Sequence, residues 1–215
     1  MKYEKIRKIV LEAILEAVDQ GLIHGTSGNI AMKDDTDPVV AITPSGVPYT
    51  HMTADQIAIV DLKTGEWLDG PFKPSSEVPM HLAVMNARPD VTATVHTHGM
   101  FATIAAMEKF GGIQAVTPPQ AEFVPVGIVP FTMPGSDEVA EKVVEALGEN
   151  GKACVIKNHG MMCCGKKMKA AMAATAYVEE MATTNFYAKL LGCFEPMPEE
   201  AVAAMQALIA ADQAV

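Results

Sequence analysis

The sequence predicts an α/β domain, a β-sheet sandwiched between helices. Three observations predict it. Segments with apolar residues at helical spacing stand before, between and after several short runs rich in Val, Ile and Thr. No repeat, low-complexity block or linker interrupts the 215 residues, so residues 1–215 read as a single domain. The residues are 49% apolar and 20% charged, an ordinary composition for a chain that buries a proper core.

The first element is a helix. In MKYEKIRKIVLEAILEAVDQG, Ile6, Ile9, Val10, Ala13, Ile14 and Ala17 fall at helical spacing, while Glu12 and Glu16 interrupt any export-signal core. The segment is therefore expected to stay as an amphipathic helix ending near Gly21, and the cytoplasm is the expected compartment. HGTSGNIAM (24–32) reads as a loop of small residues, PVVAIT (38–43) as a strand ending in Pro-Ser-Gly, and QIAIVDL (56–62) as a second strand. KTGEW turns out of that strand through Gly65. Residues 76–88 form a helix with Ser76 as N-cap and Pro79 tolerated in its first turn. TVHTH (94–98) is a strand, succeeded by an apolar helix over 100–108. Residues 111–135 are rich in Pro, Gly and Val, which predicts short strands and turns. A helix over 137–148 is capped by Ser136; strands come next at 153–160 and 161–165, then helices at 168–191 and 199–211.

Charge and composition exclude several classes of function. A formal net charge of −10 disfavours nucleic acid or an anionic membrane as partner, because both require basic patches. No segment approaches the ~20 apolar residues of a membrane span. A small phosphorylated substrate stays compatible, since backbone N–H groups hold phosphate without help from net charge. Cys154, Cys163, Cys164 and Cys193 contain no CxxC pair, and all four are expected to be buried as small apolar side chains.

The chemistry concentrates in a few short stretches. In TVHTHG, His96 and His98 sit at strand spacing and project from the same face, roughly 7 Å apart at Cα. From that base two imidazoles can share one metal ion at about 2 Å from each nitrogen, or pack as a satisfied pair. Glu77 opens the helix that begins SSE, where the positive dipole end stabilises an acid, and His81 stands four residues later on the same face. That spacing admits a shared metal or a plain side-chain contact. His159 stands at a strand end before Gly160, which permits a sharp turn. GTSGN (25–29) and TPSG (43–46) are turns dense in Gly, Ser and Thr, and Ser75 and Ser76 open a helix. Such groups cradle phosphate when several converge, and serve as ordinary turns and caps when they do not.

In order and spacing, GTSGN, TPSG, PSSE, the HTH strand and NHG resemble the class II aldolase/adducin family, most closely its L-fuculose-1-phosphate aldolase branch. The likeness runs from the first helix to the long helix after NHG. It implies a central, mostly antiparallel β-sheet covered by helices. It implies one catalytic zinc ion per subunit on His96, His98, His159 and Glu77, with Glu77 also the acid/base. It implies a substrate phosphate held by Thr26, Gly28, Asn29, Ser45, Gly46, Ser75 and Ser76, and a homotetramer with active sites at subunit interfaces. The implied reaction is retro-aldol cleavage of a ketose 1-phosphate to dihydroxyacetone phosphate and an aldehyde such as lactaldehyde.

Two departures concern the aldehyde end. The branch carries a tyrosine after the HTH pair and another near the C-terminus, whereas the tyrosines here are Tyr3, Tyr49, Tyr177 and Tyr187. Gln120, Glu122 and Tyr187 are the candidate substitutes. Within the family the alternatives are a pentulose 5-phosphate 4-epimerase, which usually has Asp at position 77, and a sugar-acid phosphate decarboxylase, which often has Lys at position 76. Glu77 and Ser76 favour the aldolase. An adducin-like binding module lacking the metal set is disfavoured because all four ligands are present.

Overall fold

The computed structural model describes residues 1–212. Strands β1 (Asn29–Lys33), β2 (Val39–Ile42), β3 (Ala58–Asp61), β4 (Trp67–Asp69), β5 (Ala93–Thr97), β6 (Gly127–Val129), β7 (Ala153–Ile156) and β8 (Gly160–Gly165) form one sheet. Their order is β4-β3-β2-β1-β5-β8-β7-β6. Every neighbouring pair is antiparallel except β6 with β7. The helices are α1 (Glu4–Asp19), α2 (Val78–Ala87), α3 (Met100–Ala105), α4 (Asp137–Leu147), α5 (Met168–Leu190) and α6 (Glu199–Asp212).

Both faces of the sheet are covered, which explains why its central strands are apolar on both sides rather than alternating. One face, carrying Ile30, Val39, Ile59 and Val95, packs under Ile6, Val10 and Ile14 of α1 and Met168 and Met172 of α5. The same layer continues under α3 and the middle of α5 through Val155, Met161 and Cys163. The opposite face, with Val40, Val60, Ile156 and Met162, packs under Met80 and Val84 of α2 and Val139 and Val143 of α4.

Several expectations are corrected. β1 begins within the segment expected to be a loop, because NIAMK is buried on both faces and shows no alternation. The KTGEW turn is present and leads into β4, a short, exposed edge strand that the sequence does not predict. The apolar helix after the HTH strand stops at Ala105 instead of running to 108. The 111–135 stretch holds a 3₁₀ segment over Pro118–Phe123 and one strand. Ser136 does cap α4, its hydroxyl accepting from the Val139 N–H. Ser76 does not cap α2: the position before the helix belongs to Glu77, and it is the Ser75 hydroxyl that accepts the Glu77 N–H at 3.2 Å. Cys193 is exposed, while the other three cysteines are buried and their thiols are pushed up by burial. No helix among the described residues is long and apolar enough to cross a membrane.

Candidate metal centre

Four side chains meet at one end of the sheet. His96 comes from β5, His98 from the residue just past it, Glu77 from the entry to α2 and His159 from the turn between β7 and β8. Antiparallel pairing of β5 with β8 brings the β7–β8 turn beside the end of β5. In that turn Asn158 takes the left-handed conformation, at φ 56°, rather than Gly160 as the sequence suggests. Gly160 is needed for a different reason: a Cβ there would run into the Thr97 carbonyl.

Each of the four offers a ligand atom, and these atoms lie within 4.8 Å of one another. Nε2 of His98 is 3.0 Å from Nε2 of His96. Nε2 of His96 is 3.2 Å from Glu77 Oε2, and Nε2 of His159 is 3.1 Å from Glu77 Oε1. Bonds of about 2.0–2.1 Å to a tetrahedral ion place neighbouring ligand atoms roughly 3.3 Å apart, so the spacing fits.

The donor chemistry makes the same point. His96 Nδ1 lies 2.8 Å from the Met161 carbonyl, which only accepts, so that nitrogen carries the proton. Burial pushes the His96 imidazole down to about 3, which keeps it neutral. Its Nε2 lone pair therefore faces a carboxylate oxygen and a second imidazole nitrogen. A proton on His98 Nε2 satisfies one of these contacts, whereas a cation at the centre satisfies all four groups at once. A bond of this kind to a backbone carbonyl is the outer-sphere contact by which metal-binding histidines are oriented. Burial alone would raise the Glu77 carboxyl; its contact with His159 and the hydrogen bond from the Asn29 amide outweigh that and hold it well below the usual carboxylate range. His98, the most exposed of the four, is lowered by burial and by His159.

Beside the centre three loops are stitched together. The Ser45 N–H donates to the Lys73 carbonyl at 2.9 Å and the Ser75 N–H to the Thr43 carbonyl at 3.1 Å, joining TPSG to PSSE. The Tyr49 hydroxyl donates to the Gly28 carbonyl at 2.6 Å and anchors GTSGN. Gly28 has φ +98°, and a Cβ on it would meet the His96 carbonyl at 2.8 Å, so glycine is required where this loop passes β5. Thr26, Ser45, Gly46 and Ser76 are exposed, whereas Gly28, Asn29 and Ser75 are buried. The Asn29 amide turns toward the metal site, its Nδ2 donating to Glu77 Oε2 at 2.9 Å.

His81 is not among the ligands: its ring is fully buried between Thr94 and Asn29. Of the candidate tyrosine substitutes, Gln120 closes a capping box and donates to Glu180, and Glu122 pairs with Lys152 at 2.5 Å. Tyr187 is half-exposed and packs 5.7 Å from the Phe101 ring.

A helix-covered, mainly antiparallel sheet with a His₃Glu centre at its end defines the class of protein. The family described as Class II Aldolase and Adducin N-terminal domain matches residues 8–186, and the chain belongs to it. It is 34% identical over 171 residues to the L-fuculose phosphate aldolase of Methanococcus maripaludis, covering 78% of this chain and 89% of that protein. It is 31% identical over 202 residues to the 5-deoxy-D-ribulose 1-phosphate aldolase of Bacillus thuringiensis serovar kurstaki, covering 93% of each. A solved L-fuculose 1-phosphate aldolase superposes with a TM-score of 0.87 at 26% identity, over 97% of this chain and 98% of that one.

Proposed function

We propose that this chain is a zinc-dependent aldolase that cleaves a ketose 1-phosphate between C3 and C4, releasing dihydroxyacetone phosphate and a short aldehyde. The observation that carries the reading is the convergence of four ligand atoms within 4.8 Å of one another, with the neutral His96 Nε2 3.0 Å from His98 Nε2 and 3.2 Å from the Glu77 carboxylate, a donor set suited to a divalent cation. Relatives named as aldolases of L-fuculose phosphate and 5-deoxy-D-ribulose 1-phosphate support the substrate class.

A divalent ion on His96, His98, His159 and Glu77 supplies Lewis-acid stabilisation of the negative charge that gathers on the substrate oxygens next to the breaking bond. The protein does the rest. Thr26, Gly28, Asn29, Ser45, Gly46, Ser75 and Ser76 bind the phosphate, the hydroxyls of the exposed residues and loop N–H groups providing donors. When the C3–C4 bond breaks, its electron pair stays on the three-carbon fragment as an enediolate. Glu77 is placed to take the proton of the C3 hydroxyl and hand it to C3, and the proton given up by the C4 hydroxyl in turn reaches O3, which completes dihydroxyacetone phosphate. The proton leaving the C4 hydroxyl goes first to a group on the aldehyde side. A homotetramer with interfacial active sites would bring such a group from a second copy, and the exposure of His98 is consistent with a site that a neighbour completes.

The test is release of dihydroxyacetone phosphate from L-fuculose 1-phosphate and 5-deoxy-D-ribulose 1-phosphate, with chelator and with zinc restored. Release that stops with chelator and returns with zinc is expected. No release from folded, zinc-loaded protein would reject these two substrates and move the assignment to another sugar phosphate, or to the epimerase or decarboxylase chemistry.

A further inference from the structure

His81 belongs to neither the metal set nor the phosphate loops, yet it is completely buried beside both. Its Nδ1 lies 2.6 Å from Thr94 Oγ1 and its Nε2 lies 2.5 Å from Asn29 Oδ1. Asn29 Nδ2 in turn lies 2.9 Å from Glu77 Oε2. We infer that Thr94, His81 and Asn29 form a one-directional clamp that fixes Glu77, with His81 as its positioning residue. That role rests on the proposed function, in which Glu77 is a metal ligand and proton carrier.

The polarity of the chain is forced from its charged end. A carboxylate only accepts, so Asn29 must turn its NH₂ toward Glu77. The Asn29 carbonyl oxygen then faces His81, and His81 Nε2 must carry the proton to donate to it. That leaves Nδ1 bare, and it accepts from the Thr94 hydroxyl. Each of the three links pairs one donor with one acceptor, so the buried polar groups of the chain satisfy one another.

The clamp draws on β1, α2 and β5, elements the fold brings together at the metal end of the sheet. Asn29 is the register partner of His96, so the amide that holds Glu77 stands directly across the ladder from a metal ligand. Thr94 sits two residues before His96 and projects from the same face of β5. A ring that merely filled space at position 81 would leave the Asn29 amide free to rotate. Glu77 would then lose a charge-assisted bond and its orientation.

The experiment compares wild type with His81→Leu, His81→Gln and Thr94→Val. Zinc affinity of the metal-free proteins is measured by competition with a chromogenic chelator, alongside kcat and KM for the ketose 1-phosphate. His81→Leu is expected to weaken zinc by up to about tenfold, the low end of the range for lost outer-sphere partners, because His81 acts through Asn29. It should lower kcat while leaving KM near the wild-type value. Gln carries an amide that reaches Asn29 as Nε2 does, and should restore most of both. Thr94→Val keeps the volume, removes only the hydroxyl and should shift zinc affinity in the same direction by less. If His81→Leu does not fold, the Gln and Val variants carry the comparison. Wild-type zinc affinity and kcat in a folded His81→Leu overturn the clamp, as does a Gln variant as impaired as Leu. If wild type binds zinc but cleaves no ketose 1-phosphate, the aldolase reading fails, while the zinc affinities still decide the clamp.

Discussion

At the residue scale the centre depends on protonation states set by burial. Glu77→Gln removes the charge while keeping the shape and the reach to Asn29. The three histidines remain, so the variant should retain much of its zinc in metal analysis and lose most of its turnover. Unchanged turnover would remove Glu77 from the proton transfer. Stability should also depend on pH through the buried histidines. Burial pushes His81 from 6.5 down to about 4 and His96 down to about 3. The unfolded chain therefore takes up protons at a higher pH than the folded one. The stability contributed by neutral His81 is complete above about 6.5 and is lost as pH falls toward 4. For His81 alone it amounts to about 3 kcal/mol at most. Glu77, held low, adds its own loss only below its ordinary value of 4.5, so the window from pH 6.5 to 5 isolates the histidines. The urea midpoint of metal-free protein should fall between pH 7 and 5; equal midpoints would contradict the assignment.

At the element scale, the HTH strand keeps its geometry because the helix beyond it is anchored. α3 begins two residues after His98 and is only six residues long, too short to be stable by itself. Glu179 on α5 accepts from the N–H groups of Phe101 and Ala102 at 2.9 Å each, capping α3 with a charge that suits the helix dipole. Glu179→Ala leaves those donors unpaired and should cost about 1–2 kcal/mol, lowering Tm by roughly 2–8 °C. It should also loosen His98 and so weaken zinc binding, which calorimetry and chelator competition can check. A variant with wild-type Tm and zinc affinity would show that α3 is held by packing alone. None of this is legible in sequence, where Glu179 is one more charged residue on a long helix. The helices are legible because their apolar faces repeat at a fixed period, as Val139, Val143 and Leu147 do on α4. β1 and β4 are not, one being buried on both faces and the other exposed along its length.

At the scale of the whole molecule, a catalytic metal and a structural one predict different behaviour. The centre lies at the end of the sheet, outside the three apolar clusters that hold the helices to it. Chelation should therefore abolish turnover while far-UV circular dichroism and cooperative melting persist; global unfolding on chelation would make the metal structural. The sequence by itself determined the α/β class, most helices, and the pairing of His96 with His98, because a strand repeats every two residues and local spacing suffices to read it. Its ordered motifs also placed Glu77 and His159 with that pair, through resemblance to a family, and the structure brings all four together. Only the tertiary structure decided what His81 does. Its spacing from Glu77 allowed a shared metal, but its partners lie 13 and 52 residues away on other strands. It likewise moved the N-cap of α2 from Ser76 to Glu77 and turned the Asn29 amide toward a carboxylate 48 residues distant. Periodicity records which face of an element is buried; which polar groups meet there depends on strand order and register, which short-range spacing does not encode.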